Sequence, residues 1–467
     1  MPLPVVTIAQ MRQWEQKTWD TGVFPETVMR RAGFAVAKKA TELTRPGDSI
    51  LLLAGSGNNG NDTRFAAEHL SDRDIRLLNI IDPASAIEEV RIQLAAKPLL
   101  LVDGLFGIGL NRALSSDWQK LIGMINSSGI PVLSVDVPSG LNADNGEAKG
   151  AAVHATVTLT LGAPKVGLIK SSAAPSVGRL EVASEIGLVG TKPESDLSWV
   201  QPADFTGFPP RRAEESHKGD FGHLVVIAGT KGFHGAAVLA ARAASRAQPG
   251  LVSLIVPENI YVPVASQLQS TMVHVWNMDS QKLMNRATAI LAGPGLVSEM
   301  IDPGLRECVV DLWLNSTVPV IWDASALDWL PKNAPPNGAL RVLTPHPGEA
   351  ARILGKSIVD IQANREVSLL KISERAGGVW VILKGRNSLI GRAGDKVHVN
   401  STGNPQLAQG GSGDVLAGFL GGFLAQPELM RDPSTVLRYG VWRHGQMADD
   451  LAGQNRGWGI EDLVRFI

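Results

Sequence analysis

Short apolar runs and helically spaced apolar positions alternate along the first half of the chain. Apolar residues recur at helical spacing over residues 7–20, 26–43 and 64–70, which predicts three helices. Continuous apolar runs predict strands at residues 49–54, 99–102, 132–135 and 157–161, and polar residues 55–61 predict a tight loop after the first of them. Such alternation favours a mostly parallel sheet covered on both faces, with a ligand site beyond the carboxyl ends of the strands.

The same alternation returns in the second half. Apolar runs predict strands at residues 224–228, 251–256, 290–292, 318–322, 340–343 and 380–383. An alanine-rich segment predicts a helix over residues 236–247, after a loop at 230–235. Between the halves, residues 190–216 combine prolines and charges without periodicity, as is typical of a domain junction. We therefore predict two α/β domains, over residues 1–195 and 216–467, joined by a linker over residues 196–215.

Composition adds few constraints, but they exclude some partners. A chain of 467 residues is too long for one ordinary domain. Its net charge of −1 gives no general attraction to nucleic acid or to anionic membranes, so any phosphate must be recognised locally, by loops and helix ends. The single cysteine, Cys308, rules out an intrachain disulfide and fits a reducing compartment. With neither a signal peptide nor a membrane-spanning run in sight, we expect a cytoplasmic protein that binds no nucleic acid or membrane.

The most informative segment is the glycine-rich stretch over residues 403–416. Gly410, Gly411 and Gly413 lie just before or within the start of an apolar helical pattern, and Asp414 follows them. Glycines allow backbone N–H groups to close around an anion, and the N-terminus of the helix adds positive potential. A carboxylate at that junction predicts a phosphate site with a general base beside it.

Four other loops follow predicted strands. They cover residues 228–236, 293–295, 344–349 and 384–388. Taken singly, each is as well explained by a turn or a cap: His346 lies between two prolines, and Lys384 resembles an ordinary surface lysine. Because the carboxyl ends of parallel strands meet at one edge of a sheet, we expect these loops to form one cleft with the glycine-rich stretch.

From about residue 200 to the end, the chain resembles the NAD(P)H-hydrate dehydratase domain. The resemblance is carried by the motifs at residues 216–223, 293–295, 344–349 and 403–416. It implies a ribokinase-like α/β fold, NADHX or NADPHX (nicotinamide cofactors hydrated at C6) as substrate, ADP as phosphate donor and Mg²⁺ as its companion. It also implies that Asp414 is the catalytic base and that Ala236, Gly295 and His346 contact the hydrate. The implied nucleotide contacts are Lys384, Gly385, Arg386, Asn387, Ser388, Gly410, Gly411 and Gly413.

Residues 1 to about 195 resemble the NAD(P)H-hydrate epimerase domain, which has a Rossmann-like three-layer α/β/α fold and interconverts the R and S hydrates. The matching motifs are residues 31–33, 55–60, 102–107, 136–141 and 162–168. The resemblance implies that Asp136 transfers protons and that K⁺ binds to Asn59, Asp103 and Ser139. Implied hydrate contacts are Asn58, Asn59, Gly60, Asn61, Asp62, Gly107, Ile108 and Gly109. The whole chain would then be a lyase and an isomerase in one, and we expect it to form a homo-oligomer.

Two alternatives stay open. Asn61 and Thr63 replace glycines of the epimerase motif, and Ile108 replaces its threonine. If the glycines serve positive φ angles, β-branched Thr63 is disfavoured there, and the N-terminal domain would bind nucleotide without turnover. For the C-terminal domain, the sequence 411–414 also suits a ribokinase-class kinase that phosphorylates a hydroxyl of a small molecule.

Overall fold

The computed structural model describes residues 2–110, 112–331, 338–454 and 457–467. It divides into two compact units, Met1–Trp199 and Val200–Ile467. The division falls inside the proline-rich segment 190–216. Among the described residues, no helix is both long enough and apolar enough to cross a bilayer.

A six-stranded parallel sheet forms the first unit. Its strands are β2 (Ser49–Ala54), β3 (Asp74–Asn79), β4 (Leu100–Gly104), β5 (Val132–Val135), β6 (Val157–Leu161) and β7 (Arg179–Ala183). Two further short strands of this unit, β1 (Leu3–Pro4) and β8 (Leu197–Trp199), are not part of that sheet. The helices are α1 (Ile8–Asp20), α2 (Pro25–Leu43), α3 (Asn58–Ala67), α4 (Pro83–Ala95), α5 (Ser116–Ser127) and α6 (Ala174–Val177). The order is β3-β2-β4-β5-β6-β7, so the chain reverses its direction of travel between β2 and β4, the position where parallel sheets open a crevice. β1 and β8 pair antiparallel.

Both faces of this sheet are buried, as the apolar runs predict. Along β2, Ile50 and Leu52 belong to one apolar cluster, together with Val36 of α2. Leu51 and Leu53 belong to another on the opposite face. Successive side chains of a strand point to opposite faces, so a continuous apolar run fits a strand with helices on both sides.

The second unit contains nine strands. They are β9 (His223–Ile227), β10 (Leu251–Val256), β11 (Met272–Val275), β12 (Ala289–Ala292), β13 (Val320–Trp322), β14 (Arg341–Leu343), β15 (Trp380–Leu383), β16 (Ser388–Gly391) and β17 (Val397–Asn400). Their order is β17-β16-β15-β14-β13-β12-β9-β10-β11. β9 to β15 run parallel, and β16 and β17 are antiparallel additions.

Ten helices cover this sheet in the described residues. They are α7 (His234–Arg246), α8 (Tyr261–Ala265), α9 (Met278–Met284), α10 (Pro303–Asn315), α11 (Pro347–Leu354), α12 (Ile358–Ala363), α13 (Arg365–Arg375), α14 (Ser412–Leu424), α15 (Pro433–Gly453) and α16 (Ile460–Phe466). Alanine-rich α7 packs closely on glycine-rich α14, since a Cβ at Gly418 would lie 2.1 Å from the carbonyl oxygen of Ala240. This contact fixes the helix that begins at the glycine-rich stretch.

Several predicted boundaries are wrong. Residues 58–61 belong to α3 rather than to a loop, and α3 ends at Ala67, not at residue 70. Likewise α7 begins at His234, inside the predicted loop 230–235. Polar residues at the start of a helix resemble a loop, which explains these errors. Cys308 is half-buried, and desolvation raises its pKa to about 11, as suits an unreactive structural thiol.

Candidate active sites

In the first unit, a cavity of about 660 Å³ opens beyond the carboxyl ends of the strands. The predicted residues that line it are Asn58, Asn59, Asp62, Gly107, Ile108, Gly109 and Asp136. Gly60 and Asn61 are not among its lining residues. A Cβ at Gly60 would lie 1.9 Å from the carbonyl oxygen of Gly55, so this glycine serves close backbone packing. The amide group of Asn61 contacts Met29 and Arg64 instead of the cavity.

Asp136 is held at the cavity by a buried lysine. The amino group of Lys165, which is completely buried, donates to Asp136 Oδ1 over 2.5 Å and to the carbonyl oxygen of Leu161 over 2.8 Å. The backbone N–H of Leu161 also donates to Asp136, and Asp136 itself has a φ of +62°. A non-glycine residue in the left-handed region is uncommon and indicates that surrounding contacts impose its conformation. Lys165 was not predicted as a site residue, although a lysine shortly after an apolar strand is a usable signal.

Two more carboxyl groups, those of Glu15 and Asp62, line the same cavity. Desolvation raises the pKa of Glu15, partly offset by the charge of Lys165. The pKa of Asp62 is raised well above its usual range by desolvation and by the charges of Asp136 and Glu15. Glu15 comes from α1 and was not predicted, because a glutamate in a surface helix carries no signal of its own.

The three predicted K⁺ ligands meet beneath this cavity. Ser139 donates from Oγ (2.5 Å) and from its backbone N–H (2.9 Å) to the completely buried carboxylate of Asp103. Asn59 Nδ2 donates to the carbonyl oxygen of Phe106, and Ser139 Oγ accepts from the N–H of the same residue. Burial raises the pKa of Asp103, opposed by these hydrogen bonds. Oxygen atoms dominate the cluster, and the described residues hold no group of three or more His, Cys, Asp or Glu at metal-binding distance.

Thr63 does not occupy the strained position that its replacement of glycine implied. It lies in α3, completely buried, and its hydroxyl donates to the carbonyl oxygen of Asn59 one turn earlier. On its other side, a Cβ at Gly104 would lie 1.8 Å from Thr63 Oγ1. The threonine therefore fills the space between α3 and β4, and positive φ is not required of it.

In the second unit, Asp414 lies in the first turn of α14, immediately after the predicted glycines. Gly411 has a φ of +94° and caps the helix, a conformation that favours glycine. Desolvation raises the pKa of Asp414 to about 7, with a further upward contribution from the charge of Asp323 and a downward one from Lys384. A carboxyl group that titrates near neutral pH is suited to act as a general base.

Lys384 is not a surface residue but the centre of a charged cluster. Its amino group lies 2.7 Å from Asp323 Oδ1 and 3.8 Å from Glu349 Oε2. The hydroxyl of Thr344 also donates to Asp323, over 2.6 Å. A Cβ at Gly413 would lie 3.2 Å from Lys384 Nζ, so this residue of the glycine-rich stretch faces the cluster. Glu349, the last residue of the motif 344–349, and Asp323, which follows the predicted strand 318–322, had no predicted role.

The rest of the predicted nucleotide loop, residues 385–388, forms the turn between β15 and β16. Gly385 and Asn387 have φ angles of +128° and +52°. From α13, the guanidinium group of Arg365 donates to the carbonyl oxygens of Leu383 and Lys384. These bonds tie the turn to the helix, and burial lowers the pKa of Arg365 to about 10.

Of the three predicted hydrate contacts, Ala236 lies in the first turn of α7, Gly295 in a loop and His346 at the N-terminus of α11. His346 caps α11, and its backbone N–H donates to Glu349 Oε2 over 2.7 Å. A Cβ at Gly295 would lie 2.9 Å from that of Ala236, so these two residues are neighbours. Gly293, which begins the same loop as Gly295, packs against the carbonyl oxygen of Asp323. Four of the five predicted loops thus contact Asp323, Glu349 or Lys384, and the segment 228–236 is joined to them through Gly295.

Comparison with known proteins agrees with this division of the chain. Residues 224–463 match the family model described as NAD(P)H-hydrate dehydratase, and residues 25–95 and 79–167 match that of the YjeF-related protein N-terminus. The bifunctional NAD(P)H-hydrate repair enzyme Nnr of Coxiella burnetii is 33% identical over 97% of this chain and 96% of its own length. Its namesake in Escherichia coli is 32% identical over 97% and 91%. The chain belongs to the family of bifunctional NAD(P)H-hydrate repair enzymes.

A solved structure supports the fold of the second unit. A ribokinase-like superfamily protein from Enterococcus faecalis V583 superposes with a TM-score of 0.51 at 23% identity, over 59% of this chain and 96% of its own. The predicted ribokinase-like α/β fold is therefore confirmed. The match to the dehydratase model spans the Asp414, Asp323, Glu349 and Lys384 cluster, and the N-terminal matches span Asp62, Asp136 and Lys165 but leave out Glu15.

Proposed function

We propose that this repair enzyme converts hydrated nicotinamide dinucleotides back to NAD(P)H in two steps, one in each unit. The second unit dehydrates the S hydrate with ADP as phosphate donor, and the first unit converts the R hydrate to S. The observation that carries the proposal is Asp414, which lies at the start of α14 with a pKa of about 7, beside the Lys384–Asp323 pair. Membership of the family gives the substrate class.

In the dehydration, Asp414 takes the proton of the C6 hydroxyl while the hydroxyl oxygen attacks the terminal phosphorus of ADP. The phosphorylated oxygen is then a good leaving group: the C6–O bond breaks with its electron pair on the departing phosphate, which takes the C5 proton as the C5–H electron pair forms the double bond. AMP, inorganic phosphate and NAD(P)H result. Backbone N–H groups of residues 410–413 would bind the transferred phosphate at the N-terminus of α14.

Mg²⁺ would neutralise the phosphates of the nucleotide. This ion keeps several waters and binds through phosphates with one or two carboxylates, so it needs no large protein cage. Asp323 and Asp414 supply carboxylate oxygens beside the proposed phosphate position, which fits such a site. The nucleotide would also contact the turn at residues 385–388.

In the epimerisation, Asp136 exchanges a proton with the hydrate in the cavity of the first unit. Its ion pair with Lys165 holds the carboxylate in a fixed position for that purpose. K⁺ would bind to oxygen atoms of Asn59, Asp103 and Ser139, and the burial of the Asp103 carboxylate fits a nearby cation. A bound K⁺ would supply positive charge to hold the phosphates or the carboxamide of the hydrate.

The test supplies the purified full chain with S hydrate or R hydrate, each with ADP and Mg²⁺, and follows the absorbance of NADH. We expect prompt recovery from S, and recovery from R faster than the spontaneous epimerisation measured without protein. An unaltered S hydrate would disprove the dehydratase proposal, and phosphorylation of an unrelated hydroxyl would favour the kinase alternative. Recovery from R at the spontaneous rate would favour a first unit that binds without turnover. The homo-oligomer, the cytoplasmic location and the domain limits 1–195, 196–215 and 216–467 stay predictions.

A further inference from the structure

Asp62 combines deep burial with an unsatisfied carboxyl oxygen. It lies on α3, only 5% exposed, and lines the cavity of the first unit. Within the described residues, its Oδ1 atom has no hydrogen-bond partner. Buried polar atoms without partners are rare in folded proteins, because desolvation is not compensated. When such an atom belongs to a residue that lines a ligand cavity, we expect the ligand to supply the missing hydrogen-bond partner.

The other buried acids of the two sites do not share this property. Asp103 accepts from Ser134 and Ser139, Asp136 from Lys165, and Asp323 from Lys384. Each of these carboxylates is thus compensated within the protein. Asp62 lines the same cavity as Asp136, but its Oδ1 atom lacks that compensation.

Charges around the cavity favour a proton on Asp62. The charged groups that line it are Arg12, Glu15, Arg112, Asp136 and Lys165. The ammonium group of Lys165 is engaged by Asp136, and among the described residues Asp62 forms no ion pair, so the carboxyl groups of Asp136 and Glu15 act on it without a paired cation. Desolvation and these two acids raise the pKa of Asp62 well above its usual range. A protonated carboxyl group can donate a hydrogen bond or a proton, which an ionised carboxylate cannot.

Inversion at C6 requires one group that accepts a proton and another that donates one. In the hydrate, C6 bears the added hydroxyl and is bonded to the ring nitrogen N1. When a base takes the hydroxyl proton, the O–H electron pair forms the C6=O bond, and the C6–N1 bond breaks with its pair on N1, which takes a proton from an acid. After rotation about C5–C6, N1 adds to the other face of the carbonyl and returns its proton to the acid. The carbonyl oxygen recovers the first proton from the base, so atoms and charges balance.

We propose that Asp62 is the acid of this exchange and that Asp136 is the base. The proposal rests on the epimerase function proposed above. It assigns Asp62 a proton-transfer role that a binding contact alone would not require, and it explains why a carboxyl oxygen is buried without a partner.

The experiment compares the full chain with its Asp62→Asn and Asp62→Glu variants, supplied with R hydrate, ADP and Mg²⁺. Since the dehydratase unit is unaltered, NADH appears at the rate at which R becomes S. We expect Asp62→Asn to lower kcat for R on the order of 10²-fold to 10⁴-fold with little change in KM, and Asp62→Glu to recover part of it. The rate with S hydrate and the unfolding temperature should stay unchanged. The exposed Asp20→Asn variant, on α1, is the matched control.

Different failures have different meanings. If the Asp62→Asn variant converts R hydrate at the wild-type rate, or if only its KM rises, the proposed role of Asp62 is overturned. The epimerase proposal itself would still stand. A folded Asp62→Glu variant as inactive as Asp62→Asn would overturn it too, because a carboxyl group in that position would then not suffice. If the wild-type chain itself does not accelerate the conversion of R, the epimerase proposal fails first, and this inference fails with it.

Discussion

The two candidate sites are built from the same parts but pair them differently. In the first unit, the amino group of Lys165 lies 2.5 Å from Asp136, the carboxylate proposed to act. In the second, Lys384 lies 2.7 Å from Asp323, a neighbour of Asp414, the residue proposed to act there. Both lysines are largely or wholly buried, and both follow a parallel strand. One ammonium group therefore contacts the acting carboxylate, and the other contacts the residue beside it.

This difference in pairing changes what each carboxylate can do. An ammonium group in direct contact favours the ionised form of its partner. When the lysine is paired with a neighbour, desolvation dominates, and the pKa of Asp414 rises to about 7. A base near neutral pKa suits removal of a proton from an alcohol during phosphoryl transfer. The position of one lysine, rather than the type of acid, thus distinguishes the two sites.

The largest effect should come from removal of the base in the second unit. We expect Asp414→Asn to lower kcat for dehydration of the S hydrate by about 10³-fold, because a positioned base contributes roughly 10²-fold to 10⁴-fold. Recovery of NADH from the S hydrate measures it. Asp279→Asn, at an exposed ion pair on α9, is the control and should be unaffected. Equal losses in both variants would show that the effect is not specific to the base.

In the first unit, loss of the lysine should damage stability as well as activity. Lys165→Met leaves the Asp136 carboxylate buried without its partner, and breaking a buried ion pair costs about 3–5 kcal/mol. The free energy of unfolding of this unit, measured by hydrogen exchange of peptides from β5 and β6, should fall by about that amount. The double variant with Asp136→Asn should recover part of the loss. An additive double variant would mean that the pair is not coupled.

The pH dependence of the second unit should respond to the neighbour of the base. Asp414 must be ionised to accept a proton, so kcat/KM for the S hydrate should fall as the pH drops below about 7. Asp323→Asn removes a charge that raises this pKa, so the acid limb should move to lower pH. Asp395→Asn, in an exposed ion pair, should leave the limb in place. A limb that does not move would show that Asp414 is not the titrating group.

How far the sequence predicts these sites depends on the range of the contacts. Apolar runs give most strands of both units, and the strand ends locate Asp103 and Asp136. The pairs Lys165–Asp136 and Lys384–Asp323 join residues 29 and 61 positions apart, and strand order, which apolar patterns do not determine, brings them together. β3 was missed because exposed polar residues interrupt its apolar ones. Asp62 could not be recognised as buried, because it lies between the predicted loop 55–61 and the predicted helix 64–70, whereas in the structure it belongs to α3.

The smallest expected effect comes from a variant that tests whether the altered motif of the first unit impairs epimerisation. Thr63→Gly restores the family residue, but it places glycine in a helix and removes a buried side chain, so it should destabilise the unit by about 1–2 kcal/mol. Because Thr63 packs on β4 and does not line the cavity, the rate of NADH formation from the R hydrate should change less than about twofold. Gly104→Ala should be worse, since its Cβ would lie 1.8 Å from Thr63 Oγ1, and Thr63→Gly should partly rescue it. A large gain in epimerisation with Thr63→Gly would contradict this packing role and show that the threonine limits the site.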